Sequence, residues 1–278
     1  RQRGDAPDRD GPLPAAARPR PFDLPGLGLL AATLIALLVA IRGAGDGGLG
    51  TLAAIVVLPL LLLFLRFELA SDHPAVDPRL FRIRPFAAAV LGVMAATVVL
   101  HGAFFLVPLL VENLQGETAQ VAGLVLLAIS ALWAVAAPIG GRLSDRRGRR
   151  LPVVAGSILV TAGLVALWWF AAASTAAVVA LLLAVVGLGL GLSGSPRQAA
   201  AFDRIPPERV GMAAGTYYTG RYLGGVLGAS LAGAVLGSSV TGAGVSLGFG
   251  LLAIVGVAII AISFGLPDRP TRRAEASA

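Results

Sequence analysis

The chain has 278 residues, 56% of them hydrophobic and only 13% charged, and its mean hydropathy is +0.84. Charged residues run near a quarter of an ordinary soluble domain, so this composition excludes one. The net charge is +7 and every one of the 22 basic residues is arginine, but they are divided among short gaps between apolar runs, with no basic face joined to aromatics, which excludes a nucleic-acid partner.

Residues 1–23 are polar, contain Pro and Arg, and lack the apolar core of a signal peptide; they read as a cytoplasmic linker. Because the first residue is Arg1 and not Met, a preceding segment is expected. Eight apolar segments follow, at about 24–41, 49–66, 86–111, 119–140, 151–171, 175–196, 211–236 and 244–266. Each approaches the roughly 20 residues a spanning helix needs at about 1.5 Å rise per residue. The lipid bilayer is therefore the first partner, and the expected fold is all-α, with eight transmembrane helices.

The arginines orient these spans. Arg1, Arg3, Arg9, Arg18 and Arg20 precede the first; Arg66, Arg79, Arg82 and Arg84 follow the second; Arg142, Arg146, Arg147, Arg149 and Arg150 follow the fourth. Arg197, Arg204 and Arg209 follow the sixth, Arg269, Arg272 and Arg273 the eighth, while Arg42 alone lies on the other side and Arg221 falls within a span. That alternation is the product of the positive-inside rule and puts both termini of the chain in the cytoplasm. Arginine without lysine, beside abundant Ala, Gly and Val, points to a bacterial coding sequence, and hence to the bacterial inner membrane.

The organisation is uneven along the chain. Residues 24–66 form a plain helical hairpin, 67–85 a cytoplasmic loop broken by Pro74, Pro78 and Pro85, 86–266 a six-helix unit, and 267–278 a cytoplasmic tail. Gly211, Gly215, Gly220, Gly224 and Gly228 mark four-residue small-residue spacings, which let helix backbones approach closely in lipid. The absence of cysteine removes disulfides and thiol nucleophiles; two histidines, His73 and His101, are too few for a His-rich metal site, and no metal or cofactor is expected.

The gap between the fourth and fifth spans reads Gly141-Arg142-Leu143-Ser144-Asp145-Arg146-Arg147-Gly148-Arg149-Arg150. Here Gly141 is expected to let two helices meet, and Gly148 to make a tight turn at positive φ. Asp145 can accept charge-assisted hydrogen bonds from a neighbouring arginine near the N-terminus of the next helix, forming a conformational latch with Leu143, Arg146, Arg149 and Arg150. A plain positive-inside loop accounts for the arginines but not for the Asp and the two Gly.

This loop resembles the G-x-L-x-D-R-x-G-R-[RK] signature of the major facilitator superfamily. The flanks are similar to 14-span drug:proton antiporters of that superfamily: Phe22-Asp23-Leu24-Pro25-Gly26 at the start of the two central helices, Asp77-Pro78-Arg79-Leu80-Phe81 before the second six-helix half, and Pro206-Pro207-Glu208-Arg209-Val210-Gly211 with Gly220-Arg221-Tyr222-Leu223-Gly224-Gly225 at the penultimate helix. The resemblance covers nearly the whole chain as spans 7 to 14. It implies proton-coupled export of hydrophobic or cationic small molecules by alternating access, with a six-helix N-terminal half as the missing partner. A natural half-transporter that pairs with a partner half, or a non-transporting membrane subunit, are the alternatives.

Polar residues within the spans are candidates for the substrate or proton path. Arg221 lies roughly 15 Å into its span, where a charge costs about 2.5–3.5 kcal/mol, so it is either functional or snorkels to the cytoplasm. His101 can relay a proton near neutral pH or simply pack by a hydrogen bond. Phe104, Phe105, Trp133, Tyr217 and Tyr218 offer an aromatic lining for lipophilic cations, or ordinary core and lipid contacts. Gly191-Leu192-Ser193-Gly194 matches a short intramembrane-protease motif, but no histidine follows Ser193 to act as its base, so no enzyme is expected.

Overall fold

A computed structural model describes residues 24–42, 48–70, 78–236 and 240–268. The linker 1–23, the tail from 269, His73, Gly237 and most of the first outer turn lie outside the described residues. Among the described residues there are eight α-helices and no strand: α1 Leu24–Arg42, α2 Leu49–Ala70, α3 Arg84–Leu109, α4 Ala119–Arg147, α5 Arg150–Phe170, α6 Ala176–Phe202, α7 Val210–Leu236 and α8 Gly242–Ser263. Each corresponds to one expected span. Several run further than their apolar core, because polar ends can continue a helix into the membrane interface.

Six of these helices are long and apolar enough to cross a membrane by length and composition: α2, α3, α4, α5, α6 and α8. The described apolar stretch of α1, Gly28–Leu37, is shorter. In α7 the glycines, three tyrosines and Arg221 dilute the apolar content.

Local chemistry sets the helix ends. Pro85 sits in the first turn of α3, where its missing N–H loses nothing. Pro108 breaks the regular ladder near the other end, and the chain continues as a π-helical turn, Leu110–Leu114, closed by Gln115 N–H donating to Leu110 C=O at 3.1 Å. Thr241 caps α8 by accepting from Gly244 N–H at 3.1 Å. Trp168, Trp169 and Phe170 crowd the end of α5 and stay exposed, as an aromatic interface anchor does.

The central element is α3, which packs against α7, α8 and α6; α4 pairs most extensively with α6, and α5 with α6 and α8. The α1–α2 hairpin packs mainly on itself and touches the bundle through α7. Leucines exposed along most of α2 suit a lipid-facing helix. A large core joins α3, α4, α5, α6 and α8 through Val99, Leu106, Ile129, Leu164, Leu183 and Phe249. A second, smaller core around Leu80, Phe86, Tyr217 and Leu266 closes the Arg-rich end.

Without a hydrophobic drive between helices in lipid, close approach carries the packing. Only part of the expected glycine stripe does this. A Cβ at Gly224 would run into Met94 C=O and Thr97 Oγ1, one at Gly228 would meet Val98 backbone, and one at Gly220 would lie 3.0 Å from Val90 Cγ1, all on α3. Gly211 and Gly215, by contrast, face open space, because the spacing there falls on the outer side of α7. Thr97 reinforces the same seam by donating its hydroxyl to Arg221 C=O at 2.8 Å.

Candidate functional site

The Arg-rich turn between α4 and α5 is held by Arg149. Its Nε and Nη2 donate to Asp203 Oδ2 and Oδ1 at 3.1 and 3.2 Å, a bidentate pair with both side chains only 16% exposed. Its Nη1 also donates to Ser144 Oγ at 2.9 Å and to Asp145 Oδ1 at 3.3 Å. The hydrogen bond to Asp203 is the largest influence raising Arg149 further above its already high pKa, so this cation persists across the physiological range. One guanidinium thus ties together the ends of α4, α5 and α6. Next to it, Arg150 Nε donates to Leu266 C=O at 2.9 Å and Nη1 pairs with Asp268 at 2.8 Å, tying α5 to the end of α8.

Two expectations for this turn are adjusted and one holds. Asp145 lies in the last turn of α4 with its side chain 75% exposed; the principal carboxylate is Asp203, the C-cap of α6, 54 residues from Arg149 in the chain. Such a distant pairing leaves no local sequence signal. Gly141 has nothing within 4 Å of a Cβ position, and it is Gly140 that meets the Leu192 backbone of α6, since the contact face of α4 is one residue earlier. Gly148 is as expected: it ends α4 at φ 89° and ψ 169°, with its N–H donating to Ser144 C=O at 2.9 Å. Leu143 is half-buried on α4, and Arg146 is exposed.

Deeper in the bundle, α3, α4, α6 and α7 line a partly open cavity of about 140 Å³. Trp133, Ser195, Arg197, Gln198, Tyr217 and Arg221 supply its polar and aromatic wall together with Thr97, and Val93, Ala96, Leu100 and Leu190 the apolar one. Tyr218 lies behind it, edge-on to Tyr217 at 5.7 Å, with its hydroxyl accepting from Gln198 Nε2 at 3.2 Å. Arg221 is half-buried and faces the cavity. Its depth along α7, eleven residues from Val210, is roughly 16 Å.

Arg197 is the functional candidate that sequence reasoning missed. The expected sixth span ends at Pro196, which places Arg197 in a cytoplasmic loop. Instead α6 continues through Pro196 to Phe202, and Arg197 is 3% exposed. Neighbouring helices make an interior proline tolerable in such a bundle. Its side chain crosses α3 at Gly92, where a Cβ would lie 2.9 Å from Arg197 Nε. Among the described residues Arg197 forms no hydrogen bond or ion pair, and no carboxylate lines the cavity.

The remaining candidates separate from the cavity. His101 is exposed on the α3–α7 seam, with Nδ1 3.1 Å from Thr97 C=O and its ring over Gly225. Phe104 lies 6.3 Å from the His101 ring and Phe105 over Gly233, both more than a third exposed. The seven-residue aromatic and polar set therefore forms two groups: Trp133, Tyr217, Tyr218 and Arg221 around the cavity, and His101, Phe104 and Phe105 outside it. Ser193 is fully buried and donates to Leu190 C=O within α6, and among the described residues it bonds no histidine.

An all-helical bundle with six helices long and apolar enough to cross a membrane, close-packed on glycine and lining a charged, aromatic cavity, is the architecture of an integral membrane protein. A family model described as Major Facilitator Superfamily matches residues 24–229, and the chain belongs to that family. It is 32% identical over 215 residues to the uncharacterized MFS-type transporter YwoD of Bacillus subtilis (strain 168), covering 75% of this chain and 46% of that protein. It is 32% identical over 220 residues to the multidrug resistance protein Stp of Mycobacterium tuberculosis (strain ATCC 25618 / H37Rv), covering 76% and 40%. It is also 29% identical over 211 residues to the riboflavin transporter RibZ of Clostridioides difficile (strain 630), covering 75% and 45%. The chain thus spans about half the length of the curated relatives it matches. The superfamily is one of transporters, and its relatives here include multidrug resistance proteins.

Proposed function

We propose that this chain supplies the second half of a proton-coupled exporter of hydrophobic small molecules in the bacterial inner membrane, with both of its ends in the cytoplasm. The observation that carries this reading is the cavity between α3, α4, α6 and α7, lined by Trp133, Tyr217 and Arg221. Rings on its wall suit an apolar, planar solute, while an intramembrane charge belongs on a translocation path. The name of Stp, a multidrug resistance protein, points the same way. Of the sequence-based alternatives, hydrophobic or cationic cargo, this wall favours hydrophobicity, since it presents guanidinium groups and no carboxylate.

In this reading α3–α8 are one rocking half, α1–α2 an appended hairpin, and a further six-helix unit completes the cavity. Two halves rocking about a midplane site give alternating access. The Arg149–Asp203–Ser144 cluster braces one cytoplasmic face of the half, and Asp145, largely exposed, is the group left to engage and release as the halves move.

The test is dye efflux from inverted vesicles carrying the protein expressed from its intact gene. Efflux should follow the pH gradient and stop with a protonophore, and Arg221→Ala should abolish it without lowering the amount of protein in the membrane. Efflux that persists after the gradient is collapsed rules out proton coupling; unchanged efflux by Arg221→Ala removes Arg221 from the path.

A further inference from the structure

We propose that the cavity wall made by α3, α6 and α7 binds the anionic group of an amphipathic solute, with Arg197 as its fixed charge and Arg221 as a second cation. This rests on the transporter reading above and specifies its cargo: an aromatic carboxylate or zwitterion, and not a simple lipophilic cation.

Four observations support it. Arg197 is 3% exposed and borders the cavity, yet no acceptor among the described residues engages it. A charge within a membrane bundle is retained when it pairs or faces a wet cavity, and an unpaired guanidinium on a cavity wall is available to bind an anion. Second, Arg221 lines the same cavity, and the Tyr217 hydroxyl lies within electrostatic reach of both guanidiniums. Two cations on one small wall repel a cationic solute and attract an anion.

Third, the protein prepares this position. Gly92 on α3 leaves the gap through which Arg197 passes, with a Cβ there only 2.9 Å from Nε and 3.1 Å from Cδ. Gln198, the next residue, is held by Tyr218, so the polar side of the cavity is ordered. Fourth, charge and ring chemistry are adjacent. Trp133 and Leu190 face the same space of about 140 Å³, comparable to the roughly 150 Å³ that accommodates a benzene ring. A planar ring against Trp133 with its carboxylate toward Arg197 satisfies both, and guanidinium offers a carboxylate a bidentate fork.

Among the described residues no carboxylate pairs with Arg197; Asp203, at the end of the same helix, accepts both bonds from Arg149. The anion must therefore come from a solute or from another part of the protein, and charge preference separates the two. A protein carboxylate on Arg197 would neutralise the site and leave no preference for an acidic ligand.

The experiment uses the purified protein expressed from its intact gene, titrated with benzoate, neutral benzamide and cationic benzylammonium, read by the change in tryptophan fluorescence. Wild type should bind the acid roughly ten- to a hundredfold tighter than the amide, the range a charge-assisted hydrogen bond supports. Arg197→Gln should erase that preference while leaving amide binding within about twofold, and Arg197→Lys should restore part of it. Equal wild-type affinities, a preference for the cation, or equal loss of all three ligands in Arg197→Gln overturns the proposal. If Arg197→Gln does not fold, Gly92→Val decides: it crowds the Arg197 side chain but keeps its charge, and an unchanged acid preference refutes the site. Absence of gradient-driven efflux for every probe defeats the transporter reading, whereas efflux without charge preference defeats only the anion site.

Discussion

Removing the carboxylate of Asp203 should loosen the Arg-rich end of the bundle more than removing that of Asp145, although Asp145 is the one inside the loop signature. Asp203→Asn keeps the shape but removes the charge and one of two acceptors facing Arg149 Nε and Nη2 at 3.1 and 3.2 Å. Both side chains are 16% exposed, so the pair lies between a solvent-screened surface ion pair and a fully buried one. Surface pairs contribute about 0.2–1 kcal/mol, and hydrogen bonds to charged groups about 1.5–3 kcal/mol. Arg149 keeps its 2.9 Å bond to Ser144 Oγ, which softens the loss. The expected destabilisation is about 1–2 kcal/mol, or roughly 2–6 °C in melting temperature for a helical unit of this size.

Asp145→Asn removes one 3.3 Å contact from a side chain that is 75% exposed. Its expected effect is below about 0.5 kcal/mol, under 2 °C. Thermal unfolding of the two variants in the same detergent, followed by tryptophan fluorescence, compares them directly. If Asp145→Asn lowers the melting temperature as much as Asp203→Asn, the assignment of Asp203 as the principal partner of Arg149 is wrong.

Other predictions concern the backbone. Gly148 sits at φ 89° and ψ 169°, a region reserved for glycine, so Gly148→Ala should destabilise by about 1–3 kcal/mol in the same melt. Gly224→Val pushes a side chain into Met94 C=O and Thr97 and should cost about 1–3 kcal/mol or prevent folding, whereas Gly215→Ala, facing open space, should be neutral or stabilise by about 0.5–1 kcal/mol. Equal effects from these last two would show that α7 does not meet α3 at Gly224.

The apolar runs were sufficient to read eight helices, because membrane insertion responds to length and hydropathy, both of them properties of short segments. The turn at Gly148 was legible for the same reason: a helix end that requires positive φ leaves a glycine in a fixed local pattern. Which glycines meet another helix was not legible. Gly211, Gly215, Gly220, Gly224 and Gly228 look alike in sequence, and only the rotation of α7 against α3 assigns the last three to the contact and the first two to open space.

The same limit applies to charge. Arg197 follows Pro196 and lies among small and polar residues, so nothing local distinguishes it from a loop arginine; the continuation of α6 and the gap at Gly92 place it inside the bundle. Asp203 joins Arg149 across 54 residues, and Trp133, Arg197 and Tyr217 come to one cavity from three helices. Sequence alone determined the spans, because each is stabilised by its own residues in lipid. The tertiary structure decided the ion pair, the helix contacts and the cavity, because each depends on the relative rotation and depth of helices far apart in the chain.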